Sequence, residues 1–455
     1  MLQLRTNLST ARIVAGSFLI AIGIGTALLM IPPASRGEPL AFLDAVFMST
    51  SAVCVTGLSV MDIGTVLTPF GQGVILFLIQ AGGLGIMTFS VFFLMLLGRQ
   101  VSLGSRMSVG LDPQKHRTRT MVSVLGMVLA LTLVVEAVGA ALLYPRLLQL
   151  HPAKTALFSA VFHAVSAFCN SGFSLYPDSM VRFQDEWFVP LVVMILVVLG
   201  GLGFMVLDEL LTRRPAGWRA LREKLSVHTR VCLIGSALLL VTGALVLWLF
   251  ERSHQLSGMP AWQQAVNAVF LSATARTAGF NTLDTASLTN ASLYFLMVLM
   301  FIGGCPGSTA GGIKITTLAV LLALIKDQIR GRVTTSIFHR QIPRATVARS
   351  LAIFSAGLVM ITAAAMLLQI TESPGGGLRL DRGAFLELFF EATSAAGTVG
   401  LSTGTTASLS AAGKLLVIVL MYVGRIGPLT LGLALVARRK SDPRFEFIEE
   451  DVMVG

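Results

Sequence analysis

Four short segments of this sequence could bind a dehydrated cation through backbone carbonyl oxygens. Each has a Phe, then a Ser or Thr followed by Ala, and then a Gly followed by a bulky apolar residue. Those glycines are Gly57, Gly172, Gly279 and Gly400. Carbonyl groups that all turn toward one axis can replace the hydration shell of a cation. Glycine suits such a backbone because it accepts the positive φ of alternate residues at little cost.

The four segments belong to an internal repeat that spans the whole chain. Their glycines are separated by 115, 107 and 121 residues, and one quarter of the 455 residues is about 114. A second group of glycines follows each of them, beginning 24 to 28 residues later. The second group consists of Gly82, Gly83, Gly85, Gly200, Gly201, Gly203, Gly303, Gly304, Gly424 and Gly427. The spacing predicts four equivalent units.

Apolar runs must position these segments within a membrane. The chain is 54% hydrophobic and 13% charged, with a mean hydropathy of +0.80, which leaves too few charges for a soluble surface. Eight runs have the length of a bilayer-spanning helix. The runs are 13–32, 68–97, 121–144, 187–211, 231–250, 290–324, 350–370 and 413–437. The first could instead be a signal peptide, but no small-residue cleavage site follows it, so we expect a retained spanning helix.

The charges indicate which side of the membrane each linker faces. The formal net charge is +11, and clusters of Arg and Lys fill every second linker, at 99–119, 213–230, 326–349 and 438–444. The alternate linkers hold most of the acidic residues outside the runs. This is positive-inside topology, so we expect a multi-pass membrane protein with both termini cytoplasmic. The same placement argues against a nucleic-acid partner, because the cations do not form one patch.

The predicted fold is an all-α membrane protein with four helix, pore-loop, helix repeats in a pseudo-fourfold arrangement around one central pore. Non-helical backbone at membrane depth is tolerated only if it is buried in protein or lines a wet cavity. Four equivalent extended segments around one axis meet that condition. The predicted units are 1–98, 99–212, 213–326 with a broken second helix, and 327–440, followed by a cytoplasmic tail at 441–455.

The sixth run cannot be one regular helix, because glycines and Pro306 interrupt it. The stretch 307–314 superficially resembles a phosphate-binding loop, but Ile313 separates the glycines from Lys314 and no soluble strand precedes it. We therefore expect a break in mid-membrane and no nucleotide there. The four cysteines are expected to be small buried residues without a disulfide or a metal. They are Cys54, Cys169, Cys232 and Cys305.

The motifs resemble the Trk/Ktr/HKT superfamily of potassium transporters, and within it the KtrB-type membrane subunits of bacterial Ktr systems, along essentially the whole chain. The most specific stretches are V-T-G-L at 55–58, N-S-G-F at 170–173, A-R-T-A-G-F-N at 275–281, G-S-T-A-G-G-I-K at 307–314, T-V-G-L at 398–401 and G-R-I-G-P-L-T at 424–430. The resemblance implies a selectivity filter with one imperfect quarter from each repeat. Its residues are Val55, Thr56, Gly57, Leu58, Asn170, Ser171, Gly172, Phe173, Thr277, Ala278, Gly279, Phe280, Thr398, Val399, Gly400 and Leu401. Potassium would be coordinated by carbonyls near the four glycines.

The resemblance also implies how such a pore is controlled. A Gly at the first filter position, here Gly57, goes with potassium preference in the superfamily, and a Ser with sodium permeation. The broken sixth run corresponds to an intramembrane loop that blocks the pore when closed. The gate residues would be Gly303, Gly304, Cys305, Pro306, Gly307, Ser308, Thr309, Ala310, Gly311, Gly312, Lys314 and Arg425. The implied partners are a second pore subunit and a cytoplasmic KtrA-type nucleotide-binding ring, with membrane lipid around them and sodium as a possible activator.

Some residues keep two interpretations. Arg425 is a costly charge in the last spanning run, so it marks an electrostatic barrier below the filter unless it snorkels to the surface. Lys314 has the same two interpretations. Asp44 and Glu391 either attract cations or brace the filter, and His163 is expected to pack. A secondary cation transporter with broken helices remains the alternative function, although its inverted repeats would alternate in orientation. No constellation of side chains at membrane depth suggests an enzyme.

Overall fold

The computed structural model describes residues 2–85, 121–213, 225–373 and 382–427. The first repeat contains α1 (Leu2–Leu29), α2 (Phe42–Val53), the short α3 (Ile63–Val66) and α4 (Pro69–Gly85). The second contains α5 (Met121–Leu148), α6 (Ala153–Phe168), α7 (Phe188–Leu202) and α8 (Phe204–Arg213). The ends of the second run beyond 85 and of the eighth run beyond 427 lie outside the described residues.

The second half of the chain repeats this order. The third repeat contains α9 (Val227–Glu251), α10 (Ala261–Thr274), α11 (Asn290–Phe301) and α12 (Ile315–Ile329). A small antiparallel hairpin, β1 (Ser336–Ile337) and β2 (Arg340–Gln341), pairs Ser336 with Gln341 and Ile337 with Arg340. The fourth repeat contains α13 (Arg344–Thr371), α14 (Arg382–Gly397), α15 (Thr405–Ser408) and α16 (Ala411–Ile426). Each repeat is thus an outer helix, a short pore helix and an inner helix.

Contacts between helices close the four repeats around one axis. Each outer helix packs against the pore helix that follows it in the chain, as α1 packs against α2 and α5 against α6. The inner helices of the second and third repeats pack against the pore helix of the next repeat, with α7 on α10 and α11 on α14. The last inner helix, α16, packs on α2 of the first repeat. The predicted all-α fold with four repeats around a centre is confirmed.

The outer helices have the length and surface of membrane spans. Among the described residues, Gly126–Leu148, Val227–Glu251 and Arg344–Thr371 are each long and apolar enough to cross a bilayer. Their outward faces carry exposed aliphatic side chains; Leu133 and Leu238 are 60% and 61% exposed. A continuous exposed apolar surface of this kind is stable in lipid and not in water. The chain is therefore an integral membrane protein.

The expectation of one continuous helix over 187–211 is wrong. The helix breaks at Gly203, which has a φ of 84°, and the two halves α7 and α8 meet at 95°. A Cβ at Gly203 would lie 2.8 Å from the carbonyl oxygen of Pro306. The first amide of α8, that of Phe204, donates to the carbonyl of Gly307 at 3.1 Å. The break exists because a segment of the third repeat docks there, which the local sequence does not specify.

The break predicted in the sixth run is confirmed. Helix α11 ends at Phe301 and α12 begins at Ile315, so an irregular segment, here called the crossing loop (302–314), lies between them. Close approach of helices explains one glycine of the second group in each of the first, second and fourth repeats. A Cβ at Gly82, Gly200 or Gly424 would collide with a backbone carbonyl near the end of a pore helix, that of Val53, Phe168 or Ala396 respectively. The inner helices therefore touch the pore helices directly.

Two equivalent glutamates join outer and inner helices in the third and fourth repeats. Glu251 ends α9 and accepts hydrogen bonds from the amide of Thr289 at 2.9 Å and from its hydroxyl at 2.8 Å, at the start of α11. Glu372 follows α13 and accepts from the amide of Ser410 at 2.9 Å and its hydroxyl at 2.7 Å, at the start of α16. Each carboxylate lies at a helix N-terminus, where a negative charge is favourable. The third and fourth repeats therefore share these polar contacts as well as the order of their helices.

Candidate functional site

The backbone after each pore helix alternates between positive and negative φ values. Two residues before each filter glycine, φ is 54° at Val55, 58° at Asn170, 74° at Thr277 and 50° at Thr398. The glycines themselves have φ of 93°, 73°, 77° and 92° in chain order. Positive φ at a β-branched residue costs about 1–3 kcal/mol and persists only where the surrounding structure imposes it. All four segments therefore share one backbone conformation that turns successive carbonyls to one side. It is strained at Val55, Thr277 and Thr398, whereas Asn170 tolerates the left-handed region more readily.

The four glycines form a closed ring. A Cβ at Gly57 would collide with the carbonyl oxygen of Ser171, and one at Gly172 would lie 2.7 Å from that of Ala278. A Cβ at Gly279 would lie 2.6 Å from the carbonyl of Val399, and one at Gly400 would collide with that of Thr56. Each glycine thus faces the residue before the glycine of the next repeat. The order around the ring is first, second, third, fourth, so the second and fourth repeats are opposite each other.

The ring opens into one vestibule. A cavity of about 560 Å³ touches all four filter glycines and the segments that follow them. Three aspartates line it, one each from the first three repeats: Asp62, Asp178 and Asp284. Asp178 pairs with Arg182 at 2.7 Å, whereas Asp62 and Asp284 accept hydrogen bonds from backbone amides of neighbouring turns. Carboxylates of one sign that line a cavity make its potential favourable for cations.

Serines of the pore helices hold the backbone of the glycine segments in place. The amide of Gly57 donates to Ser51 Oγ and the amide of Gly400 donates to Ser394 Oγ, both at 3.1 Å. In the second repeat Ser166 Oγ donates to the carbonyl of Phe173 at 2.8 Å. These serines belong to the repeated sequence frame but were not predicted to have a role. Their spacing of six residues before the glycine is the signal that could have identified them.

The other predicted filter residues lie on either side of the ring. The amides of Thr56, Ser171 and Val399 donate to carbonyls five residues earlier, whereas that of Ala278 donates to a carbonyl four residues earlier. The third repeat therefore reaches the ring with one residue fewer in its pore segment. The bulky residues after the glycines are buried behind the ring. They are Leu58, Phe173, Phe280 and Leu401.

The crossing loop lies directly beneath this ring and contacts the second and fourth repeats. Thr309 Oγ1 donates to the carbonyl of Phe168 at 3.1 Å, at the end of the second pore helix. The amide of Cys305 donates to the carbonyl of Gly201 at 3.0 Å. A Cβ at Gly311 would collide with Thr398 Oγ1, so the loop touches the inner end of the filter in the fourth repeat. The loop therefore extends across the axis.

Short hydrogen bonds close the crossing loop on itself. The amide of Gly303 donates to the carbonyl of Ile313 at 2.9 Å, and the amide of Ile315 donates to that of Gly304 at 3.1 Å. Ser308 Oγ donates to the carbonyl of Cys305 at 2.6 Å. Left-handed glycines mark its turns, with φ of 75° at Gly307 and 62° at Gly312. The two ends of the crossing loop are thus joined by hydrogen bonds, while the segment 305–311 extends away from α11 and α12.

Two basic side chains donate hydrogen bonds to carbonyls of the crossing loop. Arg425 is 6% exposed, and its Nη1 donates to the carbonyl of Thr309 at 2.5 Å. Its Nε and Nη2 have no hydrogen-bond partner among the described residues. Lys314 Nζ donates to the carbonyl of Ala310 at 2.6 Å and to that of Gly311 at 3.3 Å. Both cations point inward to the loop, so neither side chain snorkels to a membrane surface in this structure.

Three further residues discussed from the sequence have defined partners. Asp44 in the first pore helix accepts from Lys414 Nζ at 2.8 Å, which ties that helix to the last inner helix. Glu391 accepts from hydroxyls and an amide of the segment after Gly400. His163 does more than pack, because both of its ring nitrogens lie within hydrogen-bond distance of protein atoms. The four cysteines are buried, as predicted.

The chain is similar to known proteins along nearly its whole length. A model of the TrkH family, described as a cation transport protein, matches residues 3–446. The Ktr system potassium uptake protein B of Bacillus subtilis is 38% identical over 439 residues, which cover 95% of this chain and 94% of that protein. The potassium/sodium uptake protein NtpJ of Enterococcus hirae is 34% identical over 457 residues, which cover 100% of this chain and 99% of that protein. The crystal structure of the potassium transporter TrkH from Vibrio parahaemolyticus matches with a TM-score of 0.73 at 22% identity, over 93% of this chain and 84% of that chain, which shows a shared fold.

Proposed function

We propose, because the chain belongs to the TrkH family of cation transport proteins, that it carries potassium ions across a membrane through a pore along the axis of its four repeats. The observation that carries this proposal is the closed ring of four filter glycines. Each glycine faces a carbonyl-bearing neighbour in the next repeat, and the ring opens into a vestibule lined by aspartates. A dehydrated cation at the ring would exchange its water for backbone carbonyls.

Potassium is the proposed substrate for two reasons. Two relatives that match along nearly the whole chain are named potassium or potassium/sodium uptake proteins. The filter segments of this chain carry glycine at all four positions, including Gly57, where the resemblance implies potassium preference. The filter comprises residues 55–58, 170–173, 277–280 and 398–401. Because the second relative is named a potassium/sodium uptake protein, sodium is also proposed, as a co-substrate or activator.

The crossing loop and Arg425 form the proposed gate. The loop lies across the axis under the filter, touches Thr398 and is held by the guanidinium of Arg425. An ion that leaves the filter must displace this segment. The small residues of the loop favour such movement, because Gly and Ser make few side-chain contacts that must be broken. The remaining gate residues are Gly303, Gly304, Cys305, Pro306, Gly307, Ser308, Thr309, Ala310, Gly311, Gly312 and Lys314.

A regulatory partner completes the proposal. Several relatives are named as proteins of a Ktr system, a name that implies more than one component. We infer a homodimer of pore subunits on a cytoplasmic KtrA-type nucleotide-binding ring, in a bacterial plasma membrane with both termini cytoplasmic. The basic linkers support this orientation and would meet the ring or anionic lipid. The proposed units keep the boundaries 1–98, 99–212, 213–326 and 327–440, with the tail at 441–455.

Purified protein in liposomes tests the proposal. Vesicles loaded with potassium are diluted into sodium or into an impermeant cation, with and without a co-expressed ring protein, and the potassium efflux is followed. We expect potassium flux well above that of empty vesicles, stronger with the ring, and much slower sodium flux. Growth of a potassium-transport-deficient strain at limiting potassium gives a second readout. Vesicles that pass neither ion with the partner present would refute the pore.

A further inference from the structure

One position in each pore helix lies behind the filter and differs in chemistry between repeats. It is the residue that follows the buried Phe at the start of each repeated segment. The four residues are Met48, His163, Leu271 and Glu391. All four side chains are buried, with 1% or less exposure. A charged or polar group at such a position is costly unless it is hydrogen-bonded, so its partners indicate what it does.

Glu391 holds the segment that follows the filter in the fourth repeat. One carboxylate oxygen accepts from Ser402 Oγ and from the amide of Thr403 at 3.2 Å. The other accepts from Thr406 Oγ1 at 2.7 Å. Ser402 and Thr403 lie two and three residues after Gly400. The carboxylate therefore ties the outer end of this filter quarter to its own pore helix.

His163 makes the same attachment in the second repeat. Its Nε2 accepts from the amide of Leu175 at 3.3 Å and lies 3.1 Å from Ser174 Oγ. Its Nδ1 lies 2.8 Å from the carbonyl oxygen of Ser159. A carbonyl only accepts and a backbone amide only donates, so this network assigns the proton to Nδ1 and the lone pair to Nε2. Ser174 and Leu175 again lie two and three residues after the filter glycine, Gly172.

The other two repeats lack a comparable attachment. In the first, Met48 offers only its sulfur, which accepts from Ser59 Oγ at 3.4 Å. In the third, Leu271 offers no acceptor, and Asn281 bonds instead to the carbonyl of Leu283 at 2.9 Å. A thioether is a weak acceptor, and an aliphatic side chain is none. The strong attachments are therefore confined to the second and fourth repeats, which lie opposite each other in the ring.

We propose that Glu391 and His163 are positioning residues that fix the outer ends of two opposite filter quarters and thereby set the ion preference of the pore. The inference rests on the proposed function, because it assigns these side chains to a filter. An opposed pair of rigid quarters limits how far the ring can contract around a smaller ion. Without the attachments, the segments after Gly400 and Gly172 can relax, and the ring can then adapt to sodium as well as to potassium.

Substitutions taken from the equivalent repeats test this inference. Glu391→Met introduces the residue of the first repeat, and His163→Leu introduces the residue of the third. Potassium and sodium fluxes are measured in liposomes together with the melting temperature of each purified variant. We expect each variant to lower the potassium-to-sodium flux ratio about tenfold, a change that corresponds to about 1.4 kcal/mol. Glu391→Gln should keep most of the ratio, because its carbonyl can accept from Ser402 and Thr403 while its amide donates to Thr406.

Glu387→Met is the matched control. Glu387 lies one turn earlier on the same helix and is exposed. Among the described residues its carboxylate accepts a hydrogen bond only from Thr405 Oγ1, at 3.5 Å, so the flux ratio of this variant should equal that of the wild type. If Glu391→Met does not fold, Ser402→Ala and Thr406→Val remove the same hydrogen bonds from the other side. An unchanged ratio in the variants that fold, including the case in which all fluxes fall together, would overturn the inference. A wild-type protein without potassium preference would instead refute the proposed function.

Discussion

Replacement of Arg425 should release the crossing loop and speed potassium flux. The guanidinium makes one charge-assisted hydrogen bond to the carbonyl of Thr309, at 2.5 Å, in a buried site. Such a bond contributes about 1.5–3 kcal/mol, and each 1.4 kcal/mol is about a factor of ten. If the bond exists only in the closed state, its loss shifts the gate toward opening by about 10- to 100-fold.

The charge of Arg425 should act in the same direction. A unit positive charge about 8 Å from the ion path raises the barrier for a cation by about 2 kcal/mol at an effective dielectric constant of about 20. The two effects can be separated by the choice of residue. Arg425→Lys keeps the charge and loses the planar fork, whereas Arg425→Gln loses the charge and keeps a neutral donor. Arg425→Ala loses both.

The assay is potassium efflux from liposomes without the regulatory partner, because closed-state leakage is most visible there. We expect the fastest flux for Arg425→Ala and an intermediate flux for Arg425→Gln. Arg425→Lys should only partly substitute for the arginine, because it keeps the charge but loses the planar fork. The potassium-to-sodium ratio should stay constant, because Arg425 does not touch the filter. Arg349→Ala, at an exposed arginine near the start of α13, is the control and should change nothing. A folded Arg425→Ala protein with wild-type flux would refute both parts of the reasoning.

Two further predictions concern the filter and the loop. Gly57→Ser should weaken potassium preference and lower the melting temperature, because φ is 93° there and a Cβ would collide with the carbonyl of Ser171. The potassium-to-sodium flux ratio and a thermal melt of the purified variant check this. An unaltered flux ratio would argue against a filter at Gly57. Deletion of 305–312 should raise the basal potassium flux and reduce the dependence of this flux on the partner, because the segment across the axis is removed. A deletion variant that folds, but whose flux depends on the partner as much as that of the wild type, would count against a gate.

The repeats, the membrane helices and the break in the sixth run could be predicted from the sequence, because each depends on local requirements of the backbone. A glycine that must take positive φ has to be present in each copy, so four copies at similar spacing predicted the four repeats before any contact was known. The apolar runs and the alternation of basic linkers predicted membrane helices in the same way. The break in the sixth run followed from Pro306 and the glycines around it. Each of these properties depends on residues close together in the chain.

Contacts between distant segments were decided only by the tertiary structure. The order of the repeats around the ring depends on which inner helix packs on which pore helix. Arg425 and Thr309 are 116 residues apart, and Thr309 and Phe168 are 141 residues apart, so no local pattern indicated that they meet. The helix break at Gly203 likewise depends on the docked crossing loop. Sequence therefore determined which conformations each segment needs, whereas packing decided which segments touch, because contact energies depend on neighbours that only the folded chain brings together.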